Sequence, residues 1–471
     1  MRAVKLIRSA VTAPNYRVDV LGPSSRPCRA ADVSALFERH VRIDPARVSD
    51  YCWRELDPAI DDLLHIAAAV GYADRAVRRT PARAWHRNID LRIGVLAPDF
   101  WSQPALARAL EDCLDTVTGD IWSVTFTGGR SPTPIRPQAP LQLAQSRSVV
   151  MPFSDGLDSL AVARLTSLRE PDSNLILVTT GGKQDVDRAF RERHLQGRRH
   201  RVCLPFSFST IGSNRLSEAS YRSRGFVFSV AATTAAHLLG AGRVIFGESG
   251  QGSLGPWLTP VGNEAPDMRM HPIFTAKLTR FLKLAIGSNI TYEHPYLWMT
   301  KGETLGLLQS EGLADGWWET RSCARDQRHM HHGGRRVQCG ICAACLLRRQ
   351  SLLAAGLEDS RDAYLWQDLH ATDLDGAAAS GARPAATNDE RQGMCGVLAL
   401  EDFARAGDGA IGRARLEQAA EPLAKATGVS RPDAQRSLAR LVATHDREWA
   451  HFLERQGRGS LLARWAEAVR C

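Results

Sequence analysis

The sequence predicts a mixed α/β protein whose centre is a doubly wound parallel sheet. Short apolar runs alternate with helical patterns over roughly residues 149–300, which is typical of a parallel sheet covered by helices on both faces. One of these runs, SVVMPF (148–153), leads through a small polar loop directly into a helical pattern. Grouped cysteines further along the chain add a metal-binding subdomain to this prediction.

Length and composition indicate several domains and no membrane segment. The chain has 471 residues, of which 44% are hydrophobic and 24% charged, which is too long for one core. No apolar run reaches membrane-spanning length, and residues 1–5 lack the apolar core of a secretory signal, so we expect a cytoplasmic protein. The net charge of +9 suits nucleic acid or a small anion. Because the basic residues are nearly all arginine and are spread along the chain, we do not favour nucleic acid.

The N-terminal region, 1–127, is predicted to be an α+β accessory domain. Apolar residues recur at helical spacing in 60–79 and 105–117, and they alternate as in half-buried strands in IDLRIGVLA and DIWSVTFTG. The proline-rich stretch 128–148 is predicted to be a linker.

The sheet domain is expected to span 149–372. Its predicted strands are SVVMPF, NLILVTTGG, RVCLPF and RVIFGES, with a helix in FSVAATTAAHLLGAG. The stretch 373–395 has few apolar residues and predicts a mobile linker, and 396–471 predicts a helical C-terminal region.

The loop SDGLDS (154–159) has the chemistry of an anion cradle. A strand that turns directly into a helix leaves the first N–H groups of that helix without intrahelical partners, and they attract anions. Ser154 and Ser159 add hydroxyl donors, Gly156 allows close backbone approach, and Asp158 can orient a phosphate or hold a metal. The alternative is an ordinary capped turn. The Gly-Lys-Ser/Thr ending of a Walker loop is absent.

Four cysteines have the spacing of a metal site. Cys339, Cys342 and Cys345 are separated by two residues each, and Cys323 precedes them. Four thiolates fit one tetrahedral, structural Zn²⁺ within a subdomain over 321–350. The alternative fourth ligands are His329, His331 and His332, and the alternative group is an iron–sulfur cluster.

These motifs together resemble the QueC-like branch of the ATP pyrophosphatases, whose PP-loop reads Ser-Gly-Gly-x-Asp-Ser. Asp155 stands where that loop has its first glycine. CGICAACLLRR resembles the zinc motif of the 7-cyano-7-deazaguanine synthases, whereas their Asp-Cys-Arg stretch is missing. GESGQGSLGPWLTP, RMHPIFTAKLTRFL and HPYLWMTKGETL resemble the QatC-type proteins of bacterial anti-phage systems instead. The resemblance implies an adenine nucleotide alpha hydrolase-like fold.

The resemblance also implies roles for individual residues. Asp158, Arg224 and Lys301 would be catalytic, and Glu248 and His271 would contact the substrate. The residues implied to cradle ATP are Ser154, Asp155, Gly156, Leu157, Asp158, Ser159, Gly181 and Gly247. The structural alternative for Arg224 is a surface salt bridge, and for His271 it is a purely structural residue.

The implied function is the adenylation of a 7-deazapurine carboxylate by ATP and Mg²⁺, with transfer of the acyl group to an amine. The implied partners are ATP, a deazapurine and a protein of a defence operon, and the implied metals are Mg²⁺ and Zn²⁺. Three alternatives stay open: a housekeeping 7-cyano-7-deazaguanine synthase for queuosine, a non-catalytic assembly subunit, and an enzyme that modifies tRNA or DNA. Asp155 supports the assembly subunit, because its charge disfavours phosphates.

Overall fold

The computed structural model divides into two compact units. The first comprises Met1–Phe153, Glu170–Phe246 and Asn263–Glu293, and the second comprises Ser154–Arg169, Gly247–Gly262 and His294–Cys471. Within these ranges the structure describes residues 13–23, 25, 30–80, 85–133, 147–182, 184–185, 187, 194–195, 198–210, 216–262, 264–325 and 330–470. Residues 1–5, most of the predicted linker (134–146) and His329 lie outside the described residues. The division between the units runs through the region 149–372 that we expected to form one domain.

The first sheet of the first unit has four strands. They are β1 (Asn15–Leu21), β2 (Val33–Leu36), β4 (Asn88–Gly94) and β5 (Ile121–Thr127), in the order β2-β1-β4-β5. All three pairings are parallel. The helices of this region are α1 (Ala46–Cys52), α2 (Pro58–Ala76), α3 (Pro98–Trp101) and α4 (Pro104–Thr118). The predicted α+β arrangement is therefore wrong: parallel neighbours need crossover connections, which makes this region α/β.

The second sheet contains the predicted doubly wound core. Its order is β12-β11-β6-β7-β9-β8, formed by β6 (Ser148–Pro152), β7 (Asn174–Thr179), β8 (His194–Leu195), β9 (Arg199–Cys203), β11 (Arg243–Ile245) and β12 (Thr291–Glu293). Every pairing is parallel except β8 with β9. The four predicted strands are confirmed. The chain winds first to one side of β6 and then to the other, so the strand order reverses at β6, as in sheets that bind ligands at their carboxyl edge.

The described part of the first unit contains two further short strands and two further helices. They are the short strands β3 (Val41–Ile43) and β10 (Phe206–Phe208), paired antiparallel, and the helices α6 (Arg224–Leu239) and α8 (Pro272–Ile286). Helix α6, which confirms the helix expected in this stretch, packs on β6 and β7. Its interior is rich in alanine and buried along most of its length, so it can approach the sheet closely.

The second unit is mainly helical. Its helices are α5 (Leu157–Arg169), α7 (Gly250–Leu258), α9 (Lys301–Ser310), α10 (Ala343–Ala354), α11 (Leu374–Ala377), α12 (Thr387–Ala404), α13 (Gly409–Thr427), α14 (Arg431–Gln456) and α15 (Leu461–Arg470), with a hairpin of β13 (His331–His332) and β14 (Arg335–Arg336). The helical C-terminal region is confirmed. None of the described helices is long and apolar enough to cross a membrane.

The prediction of a mobile linker over 373–395 is wrong. Helix α11 buries Leu374 and Ala377, and α12 already begins at Thr387. Asp389 is 1% exposed, and its carboxylate forms ion pairs with the guanidinium groups of Arg325 and Arg383, each at 2.7 Å. This stretch has few apolar side chains, but Leu374 and Ala377 are buried and the carboxylate of Asp389 is paired, so composition alone was misleading.

Candidate functional site

The loop that follows β6 turns into helix α5 through a left-handed residue. Asp155 has a φ of 56°, in the left-handed region that glycine and aspartate tolerate best. The hydroxyls of Ser154 and Ser159 lie 3.1 Å apart, and a side chain on Gly156 would come within 3.2 Å of the Ser154 hydroxyl. Leu157, which is fully buried, anchors the start of helix α5. Aspartate at position 155 thus keeps the turn that the sequence predicts.

Asp158 and Lys301 form a buried ion pair beside this loop. The Nζ atom of Lys301 lies 2.7 Å from Oδ2 of Asp158, and the two side chains are 7% and 13% exposed. Burial opposes the positive charge, but the carboxylates of Asp158 and Glu248 outweigh it and raise the pKa of Lys301 above its usual value. Lys301 is therefore a cation with a fixed position. The sequence predicts Lys301 as a site residue but does not predict its ion pair with Asp158.

The N-terminal end of helix α9 fixes the backbone of Lys301. The Thr300 hydroxyl accepts a hydrogen bond from the Glu303 amide at 3.0 Å, and the Glu303 carboxylate accepts one from the Thr300 amide at 2.9 Å. This is a capping box, and the pattern Thr-Lys-Gly-Glu is its sequence signal. That signal, which sequence reasoning missed, places Lys301 at the first position of the helix.

Glu248 lies in the second unit together with the loop and Lys301. Its carboxylate fills the space next to Gly252, where an added side chain would lie 2.1 Å from Oε1 of Glu248. Gly252 therefore leaves room for the carboxylate, a role that sequence reasoning missed. The structure thus assigns Gly247, Glu248, Lys301 and the loop to one compact unit.

Three predicted site residues belong to the first unit. The guanidinium of Arg224 lies 4.7 Å from the ring centre of Phe228, at the start of helix α6. His271 is fully buried, and its Nδ1 accepts a hydrogen bond from the Ile273 amide at 3.1 Å, which caps helix α8. Gly181 follows β7 and leaves room for the Asp185 carboxylate. His271 therefore has a structural task, and the predicted ligand contacts of all three residues stay predictions.

The four predicted cysteines converge on one point. Their sulfur atoms all lie within 4.8 Å of one another, and Cys339, Cys342 and Cys345 are buried. The amides of Cys339 and Cys342 donate to the sulfurs of Cys323 and Cys339, each at 3.3 Å. Such N–H···S bonds stabilise thiolates and orient metal ligands.

The spacing of the sulfurs fits one tetrahedral Zn²⁺. Zinc–sulfur bonds of about 2.3 Å place the sulfurs about 3.8 Å apart, and the sulfurs of Cys339 and Cys345 are 3.8 Å apart. The space is too small for the several metal atoms of an iron–sulfur cluster. Cys323 completes the group, whereas His331 and His332 lie on the β13–β14 hairpin outside it. Four protein ligands leave no open position, so a zinc ion here would stabilise the fold.

Among the described residues, no comparable group of carboxylates accompanies the loop. Within the described parts of the chain, the cysteines are the one group of three or more His, Cys, Asp or Glu side chains placed to hold a metal ion. Mg²⁺ is usually held by one or two carboxylates together with substrate phosphates.

Comparison with known proteins identifies the class to which this arrangement is similar. A family described as "Queuosine biosynthesis protein QueC" matches residues 223–356, from the start of helix α6 to the end of the cysteine centre. The chain is thus QueC-like over this segment. A 7-cyano-7-deazaguanine synthase from Chromobacterium violaceum is 24% identical over 192 residues, which cover 37% of this chain and 74% of the synthase.

Proposed function

We propose that the protein adenylates the carboxylate of a 7-deazapurine with ATP and transfers the acyl group to an amine. The observation that carries this proposal is the buried Lys301–Asp158 pair beside a loop with a left-handed residue at position 155. The similarity to a 7-cyano-7-deazaguanine synthase supports a 7-carboxy-7-deazaguanine-like substrate. The QueC-like segment supports the use of ATP.

The chemistry needs positioning and charge stabilisation, and no covalent enzyme group. A carboxylate oxygen of the substrate attacks the α-phosphorus, the bond to the bridging oxygen breaks, and pyrophosphate leaves. An amine then attacks the acyl carbon, loses a proton, and releases AMP. Lys301 is a fixed cation for the charge that develops on the phosphates, and the loop amides bind the same oxygens.

Glu248 supports recognition of a guanine-like edge. Its carboxylate is an acceptor, and a guanine-like base presents an N1–H and an exocyclic amine as donors. Against the effect of burial, Asp158 and Glu248 raise the pKa of Lys301, and Arg348 opposes them, so Glu248 lies within the charged group around Lys301.

We place the protein with the QatC-type members of anti-phage systems. The segments GESGQG, RMHPIF and TKGETL support this assignment, and in such a system the acceptor amine would belong to a partner protein. A housekeeping queuosine synthase would use ammonia instead. The second candidate is a non-catalytic assembly subunit, which is favoured by the carboxylate of Asp155 in the loop.

The test is release of AMP and pyrophosphate from Mg-ATP, with and without 7-carboxy-7-deazaguanine. Asp158→Ala should abolish the substrate-dependent AMP, whereas Asp172→Ala, which changes an exposed carboxylate after the same helix, should leave it intact. Asp155→Gly should keep the turn and raise the rate. Absence of AMP from the wild type and from Asp155→Gly, with ATP bound and zinc present, would refute catalysis and favour the assembly subunit.

A further inference from the structure

Helix α14, in the C-terminal region, directs two polar side chains at the segment that carries Lys301. His445 is fully buried, and Glu448 lies one turn further on, so both project from one helical face. Both belong to the second unit, as do the loop and Lys301. The QueC-like match ends at residue 356 and does not reach this helix.

The first connection runs through Gln251. Its Oε1 accepts a hydrogen bond from the Lys301 amide at 2.7 Å, and its Nε2 lies 2.7 Å from Nδ1 of His445. Nε2 of His445 lies 2.9 Å from the Leu400 carbonyl oxygen, which can only accept. The proton of the neutral ring therefore lies on Nε2, and Nδ1 accepts from the Gln251 amide. Burial lowers the pKa of His445 to about 4, which keeps the ring neutral.

The second connection runs through Thr300. Its hydroxyl, which accepts from the Glu303 amide, donates to Oε1 of Glu448 at 2.5 Å. Nε2 of Gln350 lies 3.5 Å from the other carboxyl oxygen of Glu448. The approach requires glycine at position 302, because a side chain there would come within 2.6 Å of Oε1 of Glu448. The capping residue of helix α9 is thus held by α14.

We infer that Glu448 and His445 are positioning residues, through which helix α14 holds Lys301 in register with Asp158. This inference rests on the proposed function. The two connections hold adjacent residues. Glu448 binds the side chain of Thr300, and Gln251 binds the backbone amide of Lys301. A shift of about 1 Å in a group that binds the reacting phosphates can lower a rate about 100-fold. The C-terminal region would therefore be part of the active site of this chain and not an appendage.

The test compares variants for AMP release at saturating substrate. Glu448→Ala should lower kcat about tenfold or more and change KM for ATP less than about threefold, because the phosphates still bind but are misplaced. Glu448→Gln should restore most of the rate, since its amide oxygen still accepts from Thr300. Glu454→Gln, an exposed change on the same helix, is the matched control.

A second variant covers the case in which Glu448→Ala does not fold. Gln251→Met keeps the length of the side chain but removes both of its hydrogen bonds, and it should lower kcat to a similar extent. Zinc content and the melting temperature show whether each variant is folded. Unchanged kcat in folded Glu448→Ala or Gln251→Met would overturn the inference alone. An inactive wild type would instead overturn the proposed function, and the inference with it.

Discussion

Replacing Glu448 by glutamine should make the stability of the protein less dependent on pH. Burial raises the pKa of Glu448 from 4.5 to about 7; its hydrogen bond from Thr300 offsets part of this effect, and the Glu303 carboxylate adds to it. The folded chain therefore holds a proton that the unfolded chain has released, so the stability present below pH 4.5 is lost as the pH rises through 7. At about 1.4 kcal/mol per pH unit, the loss is about 3 kcal/mol.

Chemical denaturation followed by tryptophan fluorescence measures this effect. Glutamine does not titrate, so the free energy of unfolding of Glu448→Gln minus that of the wild type should be about 2.5 kcal/mol larger at about pH 8.5 than at about pH 5, which means a relatively more stable variant at the higher pH. For Glu454→Gln, which changes an exposed side chain, the free energy of unfolding relative to wild type should be the same at both pH values. If the free energy of unfolding of Glu448→Gln relative to wild type is also the same at both pH values, the Glu448 carboxyl group is already ionised in the folded protein at about pH 5. That result would refute the reasoning.

Three further predictions concern the site itself. Lys301→Met leaves Asp158 buried without its cation, so it should destabilise the fold by about 3 kcal/mol and lower AMP release; the double variant with Asp158→Asn should regain stability in a melting experiment but not activity. Cys339→Ser should reduce the zinc measured by mass spectrometry from one ion per chain to well under half and lower the melting temperature; a normal zinc content would exclude this cysteine as a ligand. Gly252→Ala should raise KM for the deazapurine acid about tenfold through displacement of Glu248 and leave KM for ATP unchanged; equal changes in both constants would count against a role for Glu248 in base recognition.

The second sheet could be predicted from the sequence because strands buried on both faces are continuous apolar runs. The strand Asn15–Leu21 could not, since its sequence NYRVDVL contains charged residues. One of these, Asp19, is 4% exposed and lies 2.6 Å from Arg92 on the neighbouring strand. An ion pair between two strands, here with Asp19 buried and Arg92 30% exposed, is invisible in the sequence of either strand, so this strand and its parallel pairings were missed.

The candidate site was predicted residue by residue, but its connections were not. Asp158 and Lys301 were chosen separately, and only the fold shows that they form an ion pair. Gln251 and His445 lie 194 positions apart in the chain, and each looks like an ordinary polar residue in its helix. The spacing of the cysteines, by contrast, defines a ligand set locally, because three of the four ligands lie within one turn and the start of a helix.

The second unit is built from three separate segments of the chain, and this affects when it can fold during synthesis. Its first segment, Ser154–Arg169, emerges from the ribosome long before helix α14, with the segments Glu170–Phe246 and Asn263–Glu293 of the first unit translated in between. At roughly 5–20 residues per second, helix α5 waits on the order of tens of seconds for the rest of its unit. Chains terminated before residue 456 would lack the end of α14, so a stop codon there should yield products that quality-control proteases remove. Assembly of the site would then wait until helix α14 has been synthesised.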